Sequence, residues 1–453
     1  MRQRIVDLAH KVGMDKAIAY SSGARVFQAV ASIATLFFIA SYLNEEEQGY
    51  YYTFGSIIAI QVFFELGLTS IITQYVAHEA VHVTIAEHEV TGESRFQSRL
   101  ASLLRFCVKW YTVISIILLV ALIVVGFVFF TKYNNSASVS WQYPWILLSV
   151  ATAVKLFQSP LTSYITGVGK VKEMNAMMFY QQLSIPTTTW VCLMCGLRLY
   201  ALGISVIVSC IVWMIYMYRK DISVIYRQMW RVIVEERVGY MKEIFPMQWR
   251  IALSWVSGYF VFQLFNPVLF ATEGPVVAGQ MGMTLQVLGG VQAFCISWIS
   301  TKIPLMSGLI ELQKYDELDA TFNRTLKQMT GVFLLLIVGV LVFFLILWNT
   351  DISFGEVPLY KRFLGPLPLT MLSFCTLLNV VVNAWATYLR CHKKEPFLVN
   401  SITSGVLCCA STLLLGNYFG LYGIVIGYTM ICIGMFPWGY WIYRTKKAEW
   451  HGK

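Results

Sequence analysis

Long apolar runs alternate with short polar connectors along the whole chain, and the purest of them lie at 110–130 and 330–348. Runs of this kind exceed the roughly 18 apolar residues that read as a membrane span. Reading the runs against turn signals predicts about twelve spans, at 18–42, 51–76, 110–131, 144–167, 176–197, 200–218, 249–271, 277–299, 329–348, 367–389, 397–416 and 420–443. The longest connector, 219–248, divides them into two sets of six. It mixes charged and aromatic residues, which predicts an amphipathic helix lying along the membrane surface. The expected fold class is therefore an all-α polytopic membrane protein. Its expected organisation is an N-terminal lobe at 1–218, an amphipathic linker at 219–248 and a C-terminal lobe at 249–453.

A short internal repeat supports pseudo-symmetry of the two lobes. Ser22-Gly23-Ala24-Arg25-Val26-Phe27-Gln28 in the first span matches Ser257-Gly258-Tyr259-Phe260-Val261-Phe262-Gln263 in the seventh at five of seven positions. Transport folds are often built from such repeated halves, with the substrate site where the halves meet. Arg25 aligns with Phe260, so the cation belongs to one half only.

Composition narrows the class further. A chain of 453 residues with 57% hydrophobic and only 13% charged residues is too apolar for a soluble globule. The net charge of +10 would suggest nucleic acid in a soluble protein. Here the cytoplasmic loops of a membrane protein account for it, because they collect Lys and Arg. With the N-terminus inside, roughly 28 of the 34 basic residues fall on the cytoplasmic side, and only Lys132, Arg198, Lys361 and Arg362 fall outside. Both termini are expected to be cytoplasmic, and the first outer loop, with Glu45, Glu46 and Glu47, is acidic. The charged opening segment carries no small-residue cleavage site, so the first span is expected to be retained. Most of the ten cysteines sit within spans, where they act as small packing residues, and the C-x-x-C of Cys192 and Cys195 has ordinary helical spacing.

The candidate chemistry is a set of charges in apolar surroundings. Arg25, Glu65 and Lys155 lie inside predicted spans, and an ionisable residue there costs several kcal/mol unless it meets a polar cavity or a partner. At about 1.5 Å per residue, Glu65 and Lys155 fall near the bilayer midplane and Arg25 roughly 10 Å from the cytoplasmic end. Gln28, Gln61, Gln158, Asn266, Asn379 and Asn383 add hydrogen-bonding capacity at intermediate depths. Arg25 and Lys155 suit an anionic headgroup, Arg as a fork for phosphate oxygens and Lys as a mobile point charge. Glu65 suits charge balance or ion coupling. The competing structural readings are a permanent Glu65 ion pair and an Arg25 that snorkels to the interface. Pro160, Pro186, Pro267 and the Gly289-Gly290 pair would permit bending.

One motif points elsewhere. His78-Glu79-Ala80-Val81-His82 is an H-E-x-x-H, the zinc metalloprotease signature, in which two His share a helix face and the Glu acts as base beside zinc, and it supplies a further reading, an intramembrane zinc protease. Glu87, His88 and Glu89 follow it. The competing reading is a polar helix end leading into a solvated loop.

Several stretches resemble the bacterial polysaccharide flippases, the O-antigen flippase-like branch of the multidrug/oligosaccharidyl-lipid/polysaccharide exporter superfamily. They are LNEEEQGYYYTFGSIIAIQVFFELG at 43–67, Gly167-Val168-Gly169-Lys170-Val171, and the segment 246–306 with PMQWRIALSWVSGYFVFQLFNPVLF, GPVVAGQMGMT and SWISTKIP. The resemblance implies two six-helix lobes around a cationic cavity and alternating access. The substrate it implies is a polyprenyl-diphosphate-linked oligosaccharide, carried from the cytoplasmic to the outer leaflet of the bacterial inner membrane. It further implies ion coupling, by H+ or Na+, no other cofactor and no catalysis. The implied partners are the lipid-linked glycan, membrane lipids and other glycan-assembly membrane proteins, with no nucleic acid. The related extrusion branch supplies a second reading, an ion-coupled multidrug or cation antiporter. A membrane glycosyltransferase or polymerase would need a larger extramembrane loop than any here.

Overall fold

The computed structural model describes residues 16–85, 90–133, 139–236, 238–240, 244–350, 352, 358–392 and 394–451, with side chains in the first helix described from Phe27 onward, Ala29 excepted. The described chain is almost entirely helical. In order it forms α1 (Lys16–Tyr42), α2 (Glu45–Ile58), a 3-10 turn (Ala59–Gln61), α3 (Val62–Glu65) and α4 (Leu68–Ala80). A two-stranded hairpin follows, β1 (Val83–Ile85) antiparallel to β2 (Val90–Gly92). Then come α5 (Ser94–Tyr133), α6 (Gln142–Gly167), α7 (Val171–Met194), α8 (Tyr200–Met217) and α9 (Lys220–Arg231). The second half holds α10 (Phe245–Phe262), α11 (Phe265–Thr272), α12 (Pro275–Ser300), α13 (Ile303–Glu311), α14 (Tyr315–Trp348), a 3-10 turn (Leu359–Arg362), α15 (Pro366–Arg390) and α16 (Leu398–His451). Among the described residues, seven helices are long and apolar enough to cross a membrane, and eight if the bent pair 45–80 counts as one span.

The predicted spans fall on helical segments, those at 51–76 and 249–271 on broken ones, and the polar ends differ from the sequence reading. The acidic run expected as an outer loop is the first turn of α2. The Asn44 side chain accepts from the Glu47 amide at 2.7 Å, and the Glu47 carboxylate accepts from the Asn44 amide at 3.1 Å. Three carboxylates beside the free amides of a helix N-terminus are also favoured by its dipole. At the other end of the scale, α5 begins sixteen residues before its apolar run, because the charged segment from Ser94 continues the same helix. The last two spans are one long helix broken at Gly420, whose φ of 56° only glycine adopts without strain.

The chain divides into two compact units. The first comprises residues up to Ala31, Ile60–Lys132 and Ser140–Trp255. Within it α4 packs on α6, where Gly167 lies against Val76, and α8 packs on α6 and α7. The Trp145 indole donates to the Leu122 carbonyl at 3.0 Å and fills the space above Gly126.

The second unit comprises Ser32–Ala59, Tyr133–Val139 and Val256–Lys453. Within it α2 packs tightly on α12, where Gly49 lies against the Pro275 backbone and Gly279 against the Gly49 backbone. A buried polar knot sits beside that crossing. Arg362 donates to Gln48 Oε1 (3.3 Å) and to the Ala40 carbonyl (3.2 Å), while Gln48 Nε2 donates to the carbonyls of Gly279 and Arg362, each at 3.0 Å. An apolar cluster with Leu36, Met283, Phe344, Leu347 and Leu369 surrounds it.

Candidate functional site

The break in the second span creates the site. After the 3-10 turn and the single turn of α3, Leu66 and Gly67 both adopt left-handed backbone, with φ of 47° and 67°. Glycine takes that conformation freely, whereas a leucine there is strained. The break ends one helix at Glu65 and starts another at Leu68, so the carboxylate is presented at a helix interruption.

Glu65 is half-buried and held by two hydroxyls. Thr69 donates to Oε1 at 2.8 Å and Ser159 donates to the same oxygen at 3.2 Å. Ser159 belongs to α6, one helical turn after Lys155, so the two share a face. The Glu65 carboxylate and the Cys210 thiol lie within electrostatic reach of the Lys155 ammonium. Among the described residues Lys155 makes no ion pair and no hydrogen bond. Its side chain is exposed on the surface of the unit although protein atoms crowd around it.

Other polar groups of the first unit extend the patch. Tyr111 on α5 is fully buried; its hydroxyl feels the Glu65 charge and has no hydrogen-bond partner among the described residues. Gln158, also buried, donates to the Cys210 carbonyl at 3.3 Å, and Gln181 on α7 donates to the Ser209 carbonyl at 3.1 Å. Hydroxyls continue along α4 and α6, where Thr73 donates to the carbonyls of Thr69 and Ser163. Tyr111, Ser159, Thr69 and Gln181 were not singled out from the sequence. Only Ser159 left a signal there, its i,i+4 spacing from Lys155.

The remaining candidates divide between the units. Arg25 lies on α1, and its side chain lies outside the described residues. Gln28 is exposed on the same helix, and Gln61 sits half-buried in the 3-10 turn. Both belong to the first unit with Lys155 and Glu65. Asn379 and Asn383 belong to the second unit, on α15. Asn379 donates to the Tyr428 hydroxyl at 2.8 Å, and Asn383 is half-buried one turn further on. Asn266 donates to Ser56 at 3.1 Å, tying α11 to α2.

The H-E-x-x-H segment ends α4. Glu79 is buried and accepts from Arg99 Nε at 2.8 Å, and Arg99 also reaches Glu236 at 3.5 Å. His78 and His82 are exposed, and His82 stacks on Phe96 with ring centroids 4.1 Å apart. The glutamate of the motif is thus engaged by a guanidinium that anchors α4 to α5. Glu87, His88 and Glu89 lie outside the described residues, and among the described residues no group of three metal-ligating side chains converges. Cys192 and Cys195 are free thiols.

No protein-family model matches the sequence. No curated protein matches it either. Solved structures do. An inward-facing multidrug resistance MATE family transporter of the MOP superfamily superposes with a TM-score of 0.61 at 13% identity, covering 96% of this chain and 99% of that one. The lipid II flippase MurJ in an inward closed conformation gives a TM-score of 0.62 at 11% identity, covering 93% and 86%. A MOP superfamily transporter from Pyrococcus furiosus, described as having a binding pocket of reverse polarity, gives 0.52 at 12% identity over 95% and 94%. Identities this low speak for the backbone alone: the chain has the multi-pass helical fold of MOP superfamily transporters over nearly its whole length.

Proposed function

We propose that this protein is a flippase for a polyprenyl-diphosphate-linked oligosaccharide, with Lys155 and Arg25 attracting the diphosphate and Glu65 responding to protonation or to a coupling cation. The observation that carries the reading is the state of Lys155. A lysine on a membrane helix costs several kcal/mol unless it meets water, a ligand or a partner. Here no carboxylate engages it directly, and its side chain is exposed while protein crowds around it. Such a side chain lines an opening and remains available to an anion.

Two supports are independent of that lysine. One of the structural neighbours is itself a flippase of a lipid-linked substrate. Glu65 is held by neutral hydroxyls, which stabilise a carboxylate without cancelling its charge. The lobes at 1–218 and 249–453, a site shared by Arg25, Lys155, Gln28, Gln61, Asn379 and Asn383, cytoplasmic termini, placement in a bacterial inner membrane and partnership with other glycan-assembly proteins belong to the same proposal. An ion-coupled drug antiporter is the second reading, favoured by the MATE neighbour and by an acid at a helix break. The uncommitted cation favours the flippase.

Complementation of flippase-deficient bacteria supplying several glycan types tests the proposal. Lys155→Ala and Arg25→Ala are expected to abolish surface glycan, while Lys155→Arg retains part of it. Wild-type export by both alanine variants at normal protein levels would remove the headgroup site. Resistance to cationic dyes without any glycan rescue would favour the antiporter.

A further inference from the structure

We propose that the linker helix α9 and the membrane helices beside it form a binding site for one anionic phospholipid of the adjacent leaflet. A groove of about 520 Å³ opens there within the first unit, in the range of about 300–1,000 Å³ typical of ligand sites. Its wall is apolar: Leu104 and Val108 from α5, Trp213 and Met217 from α8. Its rim carries Arg227 and Arg231, one turn apart on α9 and therefore on one face. Both arginines are exposed, and neither has an ion-pair or hydrogen-bond partner among the described residues.

The groove is built rather than incidental. Ile222, Ile225 and Met229 bury one face of α9, and the Tyr226 hydroxyl donates to the Leu161 carbonyl at 3.0 Å. Arg105 caps the helix end, donating to the carbonyls of Trp230 (2.9 Å) and Val232 (2.8 Å) with its guanidinium 5.8 Å from the Trp230 ring. Beyond it, the Ser98 hydroxyl accepts from the amides of Glu235 and Glu236, each at 2.8 Å. These contacts hold α9 at a fixed height against α5, α6 and α8.

Charge and continuity select the occupant. The apolar wall runs into the exposed faces of the same two helices, with Val113, Ile116 and Ile117 on α5 and Ile211, Met214 and Ile215 on α8. Exposed apolar faces on membrane-length helices meet acyl chains. A basic amphipathic helix with aromatic residues at its edge meets anionic headgroups. A chain in the groove would place a phosphate beside two guanidinium forks, neither of which pairs with a carboxylate among the described residues. This inference needs only the membrane fold and stands whether or not the protein moves glycan.

Lipid retention measured by native mass spectrometry tests it, with the full chain in detergent and phosphatidylglycerol or phosphatidylcholine added in turn. Phosphatidylglycerol should be retained about thirtyfold better, as expected for two basic contacts at a membrane surface. Arg227→Gln with Arg231→Gln should bring it down to the phosphatidylcholine level, and Arg227→Lys with Arg231→Lys should preserve most of the preference. Ser223→Trp, which fills the groove and spares both arginines, should also abolish retention. Equal retention of the two lipids by the wild type, an unchanged preference in the glutamine or tryptophan variants, or preferential retention of a polyprenyl phosphate would overturn the assignment.

Discussion

Single residues here carry costs that only their surroundings explain. Leu66 holds a left-handed backbone, worth about 1–2 kcal/mol for a residue with a side chain. That strain persists at the position that sets Glu65 against Ser159, so the strained geometry and the candidate site coincide. A second residue-scale device sits just past the end of α15. His392 Nε2 lies 3.3 Å from His451 Nε2, and His392 Nδ1 lies 3.3 Å from the Tyr388 carbonyl. The Tyr388 hydroxyl donates to Asp319 at 2.7 Å, and Asp319 pairs with Lys447 at 2.8 Å. Burial holds the His392 imidazole below its usual value of 6.5, opposed first by the Tyr388 carbonyl, then reinforced by Lys394 and opposed more weakly by Asp319 and the Leu389 backbone. A depressed histidine means that the unfolded chain binds the proton more readily. The stability it contributes is therefore complete above about pH 6.5 and is lost as pH falls through the lower folded value. Melting temperature followed from about pH 7.5 to about pH 5 should drop more steeply in wild type than in His392→Gln. Parallel profiles would show that this imidazole is not the sensitive group.

At the scale of elements, close helix approach sets the second unit. A Cβ on Gly49 would collide with the backbone of Pro275, and one on Gly279 would press on the Gly49 amide. Gly55, on the same helix, has open space around its missing Cβ. Replacing a helical glycine by alanine gains about 1 kcal/mol of helix propensity, while overpacking against an unyielding backbone costs about 1–3 kcal/mol. Gly55→Ala should therefore be neutral or stabilising, and Gly49→Ala should lower the melting temperature of the purified protein. Equal effects at the two positions would mean that the α2–α12 crossing yields to a methyl group. The polar knot makes the same contact specific. Arg362 is buried with its charge spread over Gln48 and the Ala40 carbonyl, an arrangement that a lone change to either partner would leave unbalanced.

At the scale of the whole molecule, basic residues are concentrated in one set of connectors, and the proposed orientation rests on that asymmetry. In the proposed orientation Thr91 is cytoplasmic and Lys361 lies outside. In a cysteine-free background, a membrane-impermeant thiol reagent should label Lys361→Cys in intact cells and Thr91→Cys only after permeabilisation. The reverse pattern would invert the orientation and, with it, the direction of transport proposed above. Both positions are exposed, so protection of either would report the membrane rather than the fold.

Hydrophobic periodicity and charge were enough to determine the class, an all-α chain with several membrane-length apolar helices, because a bilayer demands long apolar helices whatever their packing. The charges at Glu65 and Lys155 were equally legible, since an ionisable residue in an apolar run stands out without any structure. Tertiary structure decided what those charges meet. The hydroxyl of Ser159, the phenol of Tyr111 and the guanidinium that engages Glu79 come from other helices, and sequence spacing cannot bring different helices to one point. It also decided that an acidic run caps a helix, that a span breaks at Leu66-Gly67, and that Asn379 is bound to Tyr428 in a different unit from Lys155. Local pattern fixes how a segment meets lipid, whereas a partner across the bundle depends on the folded packing of segments far apart in the chain.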